Sequence, residues 1–167
     1  YDVSRLMAGS LGTLGLLLEV SLKVLPKPQT EATLQFELNE LQALEAMNRL
    51  AGQPLPISAS CYHDHVLTIR LSGSQSAIQA THAKLGGQLL VADAEFWHSI
   101  REQTSRFFHG GAPLWRISLP STATLQLPGK QLIEWGGALR WVLSEEEGGQ
   151  VRALAEQARG QATLFRS

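Results

Sequence analysis

The chain has 167 residues, enough for one domain or for one domain with part of another, and its 44% hydrophobic and 17% charged content is that of a globular chain rather than a disordered one. A formal net charge of -1 with no basic cluster leaves no electrostatic footprint for nucleic acid or for an anionic membrane surface. The longest dense apolar run, Leu14 to Leu18, falls short of the roughly 20 residues that a membrane-spanning helix needs, so the chain reads as soluble.

Cys61 is the single cysteine and has no partner for an internal disulfide, which fits a reducing compartment. The first residues carry no charged n-region leading into an apolar core, so no secretory signal is read there. The sequence opens on Tyr1, inside what reads as a motif, and is expected to be a fragment or a processed product.

Residues 1–26 differ in pattern from the rest of the chain. A short segment from Asp2 to Met7 runs into a loop with glycines at positions 9, 12 and 15. Then Val20, Leu22 and Val24 alternate with Glu19, Ser21 and Lys23, a period of two that predicts a strand with one buried face over residues 16–25. Pro26-Lys27-Pro28 punctuates the chain and marks a domain boundary.

From residue 31 the pattern predicts a domain in two parts. Leu34, Phe36 and Leu38 alternate as a strand. Asn39 caps a helix with Gln42 at the capping-box position, Leu41, Leu44, Met47 and Ala51 form its apolar face, and Gly52 ends it. Strands around Ile57–Cys61 and Leu67–Leu71 flank a turn at His63-Asp64. Ser74 opens a second helix bearing Ile78 and Leu85, Gly86-Gly87 stop it, and a short strand covers Gln88–Val91. The order β-α-β-β-α-β is the split βαβ, or ferredoxin-like, unit.

A connecting helix comes next, with Asp93 as its cap and Phe96, Ile100, Thr104 and Phe107 on one face. Then the order recurs. Trp115, Ile117 and Leu119 make a strand, and Pro120 to Pro128 leaves room only for a short, imperfect helix. Residues 131–135 and 138–143 flank Gly136-Gly137, which suits a two-residue hairpin. Ser144 with Glu147 predicts a capping box, Val151, Leu154 and Ala158 face inward, Gly160 ends the helix, and Gln161–Arg166 is a last strand. The expected fold class is α+β: a duplicated ferredoxin-like antiparallel sheet with helices on one face, in halves 31–91 and 113–167 of a domain spanning 31–167, preceded by the last strand of another domain in residues 1–26.

The glycine spacing at 9, 12 and 15 is neither the G-x-G-x-x-G dinucleotide fingerprint nor a P-loop. Glycines let backbone approach a ligand closely, and free N–H groups in such a loop can form an anion nest; on spacing alone a tight turn between two elements is the favoured reading. The whole run Tyr1-Asp2-Val3-Ser4-Arg5-Leu6-Met7-Ala8-Gly9-Ser10-Leu11-Gly12-Thr13-Leu14-Gly15-Leu16-Leu17-Leu18-Glu19, with its following strand and Pro26, resembles the end of the FAD-binding domain of vanillyl-alcohol oxidase-type flavoproteins. Leu11 and Leu18 stand where many members have Glu and Thr, which removes polar contacts but not backbone ones. Gln53-Pro54-Leu55-Pro56-Ile57-Ser58, Leu114-Trp115-Arg116-Ile117-Ser118-Leu119-Pro120 and Trp135-Gly136-Gly137-Ala138-Leu139-Arg140-Trp141 resemble the FAD-binding subunit of bacterial glycolate oxidases.

That resemblance implies a duplicated ferredoxin-like substrate domain, FAD held in part by Gly9, Ser10, Gly12, Thr13, Leu14, Gly15 and Leu16, and a larger flavin subunit and an iron–sulfur subunit as partners. It implies oxidation of a small 2-hydroxy acid, glycolate to glyoxylate, in the cytoplasm, with any attachment to the inner face of the membrane made through partners. By the same resemblance most of the FAD-binding domain is missing, as is a short C-terminal stretch that returns to the flavin. The piece alone is expected to be inactive and free of FAD.

Single residues carry less. Cys61, His63, Asp64 and His65 lie at a turn with no second cluster nearby, too few for a zinc site, so no metal is expected. Trp97, Phe107 and Phe108 read as packing residues, Glu145 to Glu147 as the first turn of a helix, and His109 as a solvated loop residue. Arg116 sits opposite Trp115 and Ile117 on its strand, where it can grip a substrate carboxylate bidentately or face an interface or water. Arg140 on the neighbouring strand has the same options, with the interface or solvent reading favoured. No catalytic base stands out. The rival functional classes are an assembly or cap subunit whose own flavin does not turn over, and a free-standing ferredoxin-like ligand-binding module.

Overall fold

A computed structural model describes residues 3–24, 26–123 and 127–167. After a short helix α1 (Val3–Met7), the elements run β1 (Thr30–Glu37), α2 (Glu40–Ala51), β2 (Ile57–His63), β3 (Val66–Gly73), α3 (Gln75–Leu85), β4 (Gln88–Leu89), α4 (Asp93–Arg101), β5 (Leu114–Ser118), β6 (Lys130–Glu134), β7 (Leu139–Leu143), α5 (Gly148–Gln157) and β8 (Gln161–Arg166). All eight strands form one antiparallel sheet in the order β4-β1-β3-β2-β6-β7-β5-β8. The first four strands take the ferredoxin-like order, the last four repeat it in mirror sequence, and the second strand of each unit pairs with its counterpart. The expected α+β class and the doubled unit are both present.

Local chemistry accounts for most boundaries. At the start of α2, Asn39 Oδ1 accepts from Gln42 N (2.9 Å) and Gln42 Oε1 accepts from Asn39 N (3.1 Å), the reciprocal capping box expected there. Ser74 Oγ caps α3 by accepting from Ala77 N, and Gly86 and Gly87 end it at φ +69° and +89°, a region costly for other residues. The buried stripe of α2 is Ala43, Leu44, Met47 and Leu50; Leu41 is exposed, so the apolar face is rotated from the expected one. Ala43 and Leu50, one turn either side of Met47, complete an i, i+4, i+7 line, and that stripe meets the sheet.

Several expectations are corrected. Residues 16–24 form no strand; they are exposed and pair with no described strand, so the apolar alternation there has no ladder to join. Leu25 lies outside the described residues. The β2–β3 turn is Asp64-His65, at φ +50° and +63°, one residue beyond the predicted position. The β6–β7 connection holds four residues, since Glu134 pairs with Leu139; Trp135, Gly136 and Gly137 take φ +52°, +65° and +105°.

Helix α4 begins at Asp93 itself, whose carboxylate accepts from Thr33 Oγ1 instead of capping, and ends at Arg101, so Thr104 and Phe107 lie outside it. Ser144 makes no capping box either: its N–H extends the ladder to Pro113 O, and α5 starts only at Gly148, leaving Glu145 to Glu147 in the approach to it. The imperfect helix between Pro120 and Pro128 falls partly on residues 124–126, outside the described ones; the described flanks are not helical.

Two layers cover the sheet. Helices α2 and α3 pack over Leu34, Ile69, Leu71 and Ile133, and α5 packs over Trp115, Ile117 and Val142 on the same face. The opposite face is covered in part by α4 and a 3-10 turn at Arg106–His109, where Ile100, Phe107 and Phe108 meet Cys61, Leu132 and Trp141. Hence the helices of the repeated units share one face, while the connecting helix lies on the other. Among the described residues no helix is long and apolar enough to cross a membrane.

Candidate functional site

Among the described residues, the ladder between the halves has just two residue pairs, Cys61↔Glu134 and Tyr62↔Ile133. Beyond Glu134 the chain leaves the ladder for the Trp135–Gly137 turn, so residues 57–60 of β2 lose their partner on that side. One link bridges the gap, from Gly136 N to Ser60 Oγ at 3.1 Å. The result is a cleft of about 1190 Å³ between the halves, with Arg70, Trp97, Arg116, Glu134, Trp135 and Trp141 among its lining residues.

Strand alternation aims these groups. Arg116 lies in the row Arg116–Trp141–Leu132, on the α4 face, while Trp115 and Ile117 point into the core under α5. Its guanidinium makes no hydrogen bond or ion pair among the described residues. A half-buried arginine without a partner is an unsatisfied cation facing a cleft, since its five N–H donors must otherwise be met by water.

Glu134, at the end of β6, is one of three acids that line the cleft, with Glu31 and Asp93. Trp141 Nε1 donates to its Oε2 at 2.8 Å. Burial raises its carboxyl above the usual range, against the Trp141 bond and the nearby Arg116 charge, which favour the ionised form. The other two cations of the lining are engaged: Arg101 pairs with Glu102 at 2.7 Å, and Arg70 donates from Nε to Ser58 Oγ at 2.9 Å, with Glu31 3.8 Å away and its guanidinium 5.4 Å from the Trp97 ring centroid. Exposed Trp135 stands on the rim.

Arg140 is on the other face and outside the cleft. It is fully buried, donates from Nη1 to Glu40 Oε1 at 3.1 Å and from Nη2 to Ala123 O at 2.8 Å, and thereby ties β7 to the start of α2. Burial lowers its pKa, opposed by Glu40. The structure therefore brings Arg116 to the cleft and holds Arg140 inside the fold. Neither Glu134 nor Glu40 stood out in the sequence. Glu134 had a signal, an acid at an inward strand position beside an unpaired arginine row, but its register relative to Arg116 depends on the long-range β6–β7–β5 pairing.

The turn residues near Cys61 do not gather. Cys61 is buried with its thiol pKa pushed up by burial and then by Glu134, His63 Nδ1 lies 3.1 Å from Gln131 O, and among the described residues no three His, Cys, Asp or Glu side chains come together. Phe107 and Phe108 are core residues, as expected; Trp97 packs on Phe96 and also lines the cleft.

The glycine loop lies elsewhere. Gly9, Gly12 and Gly15 take φ +80°, +82° and +148°, and a Cβ on any of them would meet nothing within 4 Å. The loop thus has the backbone freedom that close approach to a ligand requires, at residues that are almost all exposed. Thr13 turns inward: its N–H and hydroxyl both donate to Ser10 O, at 2.9 and 2.7 Å. Ser10 N–H is likewise engaged, donating to Met7 O at 3.1 Å; the rest of the loop is open, and no other described part of the chain walls it.

Compared with known proteins, the chain is 47% identical over 166 residues to the glycolate oxidase subunit GlcE of Escherichia coli (strain K12), an alignment covering 99% of this chain and 47% of that subunit. The chain therefore spans about half the length of the curated relative it matches. No protein-family model matches the chain. No solved structure matches it.

Proposed function

We propose that this chain, a relative of glycolate oxidase subunit GlcE in the FAD-linked oxidase family, forms the substrate-side part of an FAD-dependent 2-hydroxy-acid oxidoreductase that converts glycolate to glyoxylate. The observation that carries the reading is Arg116: an unpartnered guanidinium in the cleft between the two ferredoxin-like halves, in a chain 47% identical to a glycolate oxidase subunit. In this reading Arg116 binds the carboxylate of the acid with its planar fork. The aromatic walls, Trp97 and Trp141, lower the local dielectric around that contact and strengthen it.

Residues 1–26 belong, in this reading, to the end of an FAD-binding domain. The positive-φ glycines and the exposed Leu14, Leu16, Leu17, Val20, Leu22 and Val24, which find no cover in the described fold, support that assignment. Gly9, Gly12, Leu14, Gly15 and Leu16 would then offer backbone donors to the flavin and Ser10 its hydroxyl, its own N–H being donated to Met7 O, with Thr13 holding the turn. FAD, when bound, supplies the two-electron chemistry. Residues 31–167 form the substrate domain, and a larger flavin subunit and an iron–sulfur subunit are the partners, in the cytoplasm.

The test is Arg116→Lys in the complete, assembled enzyme. Lysine keeps the charge and loses the fork, so kcat/KM for glycolate should fall roughly tenfold to a hundredfold, the worth of one charge-assisted hydrogen bond, with flavin content unchanged. Unchanged kinetics in a properly assembled complex would remove Arg116 from the substrate site and favour a non-catalytic assembly role for this subunit.

A further inference from the structure

We propose that Glu134 is the specificity determinant that distinguishes a 2-hydroxy acid from a plain carboxylate, accepting the hydrogen bond of the substrate hydroxyl while Arg116 holds the carboxylate. The inference rests on the reading of the cleft as the substrate site and adds to it the second recognition group.

Three observations converge. Glu134 and Arg116 line the same cleft and are close enough for the arginine charge to favour the ionised carboxyl, yet they form no ion pair with each other among the described residues. A carboxylate and a guanidinium that face one space without closing on each other leave room for a ligand between them. Trp141 Nε1 anchors Glu134 at Oε2, and Oε1 makes no hydrogen bond among the described residues. The carboxylate is thus held in place by one oxygen with the other available, which is the pre-organisation a specificity contact needs.

The ligand chemistry comes from the pair. A cation and a fixed acceptor that line one cleft without pairing complement a molecule that carries both a carboxylate and a hydrogen-bond donor. A dicarboxylate would set its second charge against Glu134. A 2-amino acid has the right donor, but its ammonium must shed far more water than a hydroxyl and would share the cleft with the Arg116 and Arg70 cations. A hydroxyl donates one hydrogen bond at much smaller desolvation cost.

The experiment is calorimetric titration of this chain with glycolate, acetate and glycine, for the wild type, Glu134→Gln and Arg116→Ala. In the wild type glycolate should bind about tenfold tighter than acetate, the value of one hydrogen bond to a charged group, and tighter than glycine. Glu134→Gln should bring the glycolate-to-acetate ratio close to one without weakening acetate. Arg116→Ala should weaken both acids tenfold or more.

A ratio that stays at its wild-type value in Glu134→Gln overturns the role of Glu134 and leaves the substrate reading standing. Binding of both acids untouched by Arg116→Ala, or no binding of either to the wild type, overturns the substrate reading and this inference with it. Glycine binding more tightly than glycolate overturns the ligand class. Should Glu134→Gln fail to fold, the carboxyl 13C resonance of Glu134 in the wild type decides: it should shift with glycolate and stay nearly unmoved with acetate, and equal shifts refute the contact.

Discussion

Replacing Glu40 by alanine tests how the two halves are held together. Glu40 is the first residue of α2, and its Oε1 lies 3.1 Å from Nη1 of Arg140 on β7. The arginine side chain is 0% exposed and the glutamate 41%. An exposed ion pair is worth about 0.2–1 kcal/mol, whereas breaking a buried pair costs about 3–5 kcal/mol because a charge is left without compensation. This pair is buried on one side and half open on the other. Arg140 also keeps Ala123 O as an acceptor at 2.8 Å, so the loss is partial.

The expected destabilisation is about 2 kcal/mol, between the two limits. For a chain of this size that is a fall in Tm of about 4–8 °C. Urea denaturation of wild type and Glu40→Ala, followed by tryptophan fluorescence and circular dichroism, measures it. Glu40→Gln keeps an acceptor and should recover part of the loss, and the double replacement Glu40→Ala with Arg140→Met should be less than additive. A Glu40→Ala loss below about 0.5 kcal/mol would show that Arg140 is compensated by carbonyls alone and that the pair does not fasten the halves.

Three further outcomes are expected. Gly137→Ala should cost at least about 2 kcal/mol by urea denaturation, because a Cβ there would sit 2.5 Å from Ser121 O and 2.9 Å from Leu44 Cδ2 at φ +105°; wild-type stability would refute the packing at that turn. Cys61, buried with its thiol pKa raised by burial, should resist a thiol-specific reagent at pH 8 until urea unfolds the protein, and stoichiometric labelling of the native chain would contradict its place in the core. Purified alone, the chain should carry no stoichiometric flavin absorbance, since the glycine loop has no wall around it, and its amides at 15–24 should exchange within the shortest measurable time; a yellow protein, or protection in that segment, would overturn the respective expectation.

The features legible in the sequence are those set by local chemistry. Asn39 with Gln42, Ser74, and the Gly86-Gly87 pair each satisfy or stop a helix using atoms within a few residues, and each stands where the pattern puts it. The order of elements is legible for the same reason, because period-two and period-3.6 stripes are short-range. Sequence patterns mislead where a distant partner decides. Residues 16–24 alternate like a strand, but no ladder in the described fold accepts them. Ser144 has the pattern of a cap, yet Pro113 O, just before β5, claims its N–H.

The site divides the same way. The face of Arg116 is set by alternation along one strand, so its aim is readable. The place of Glu134 beside it needs three strands in register. Arg140 alternates on its strand as Arg116 does on its own, but the side it turns to is occupied by Glu40, a hundred positions away in sequence, and by a loop carbonyl. Asn48 is a similar case: it donates to Leu44 O and Ser121 O and accepts from Ser121 Oγ at 2.7 Å, stitching α2 to the second half by contacts that no local pattern announces.

The two-pair seam between β2 and β6 has a mechanical consequence. The sheet is continuous in topology but is two plates with a short weld, and the backbone bonds of that weld lie at one end of the cleft. Rotating one plate against the other about the weld widens or narrows the mouth without rupturing a ladder within either plate. Resistance to the rotation comes from side-chain fastening: Arg140 to Glu40 and Asn48 to Ser121 on the far face, and the Ser60–Gly136 link across the gap. These polar contacts, with the apolar packing of Ile133 and Cys61 across the seam, bear on the spacing of groups carried by opposite plates, Arg70 and Trp97 on one and Arg116 and Glu134 on the other.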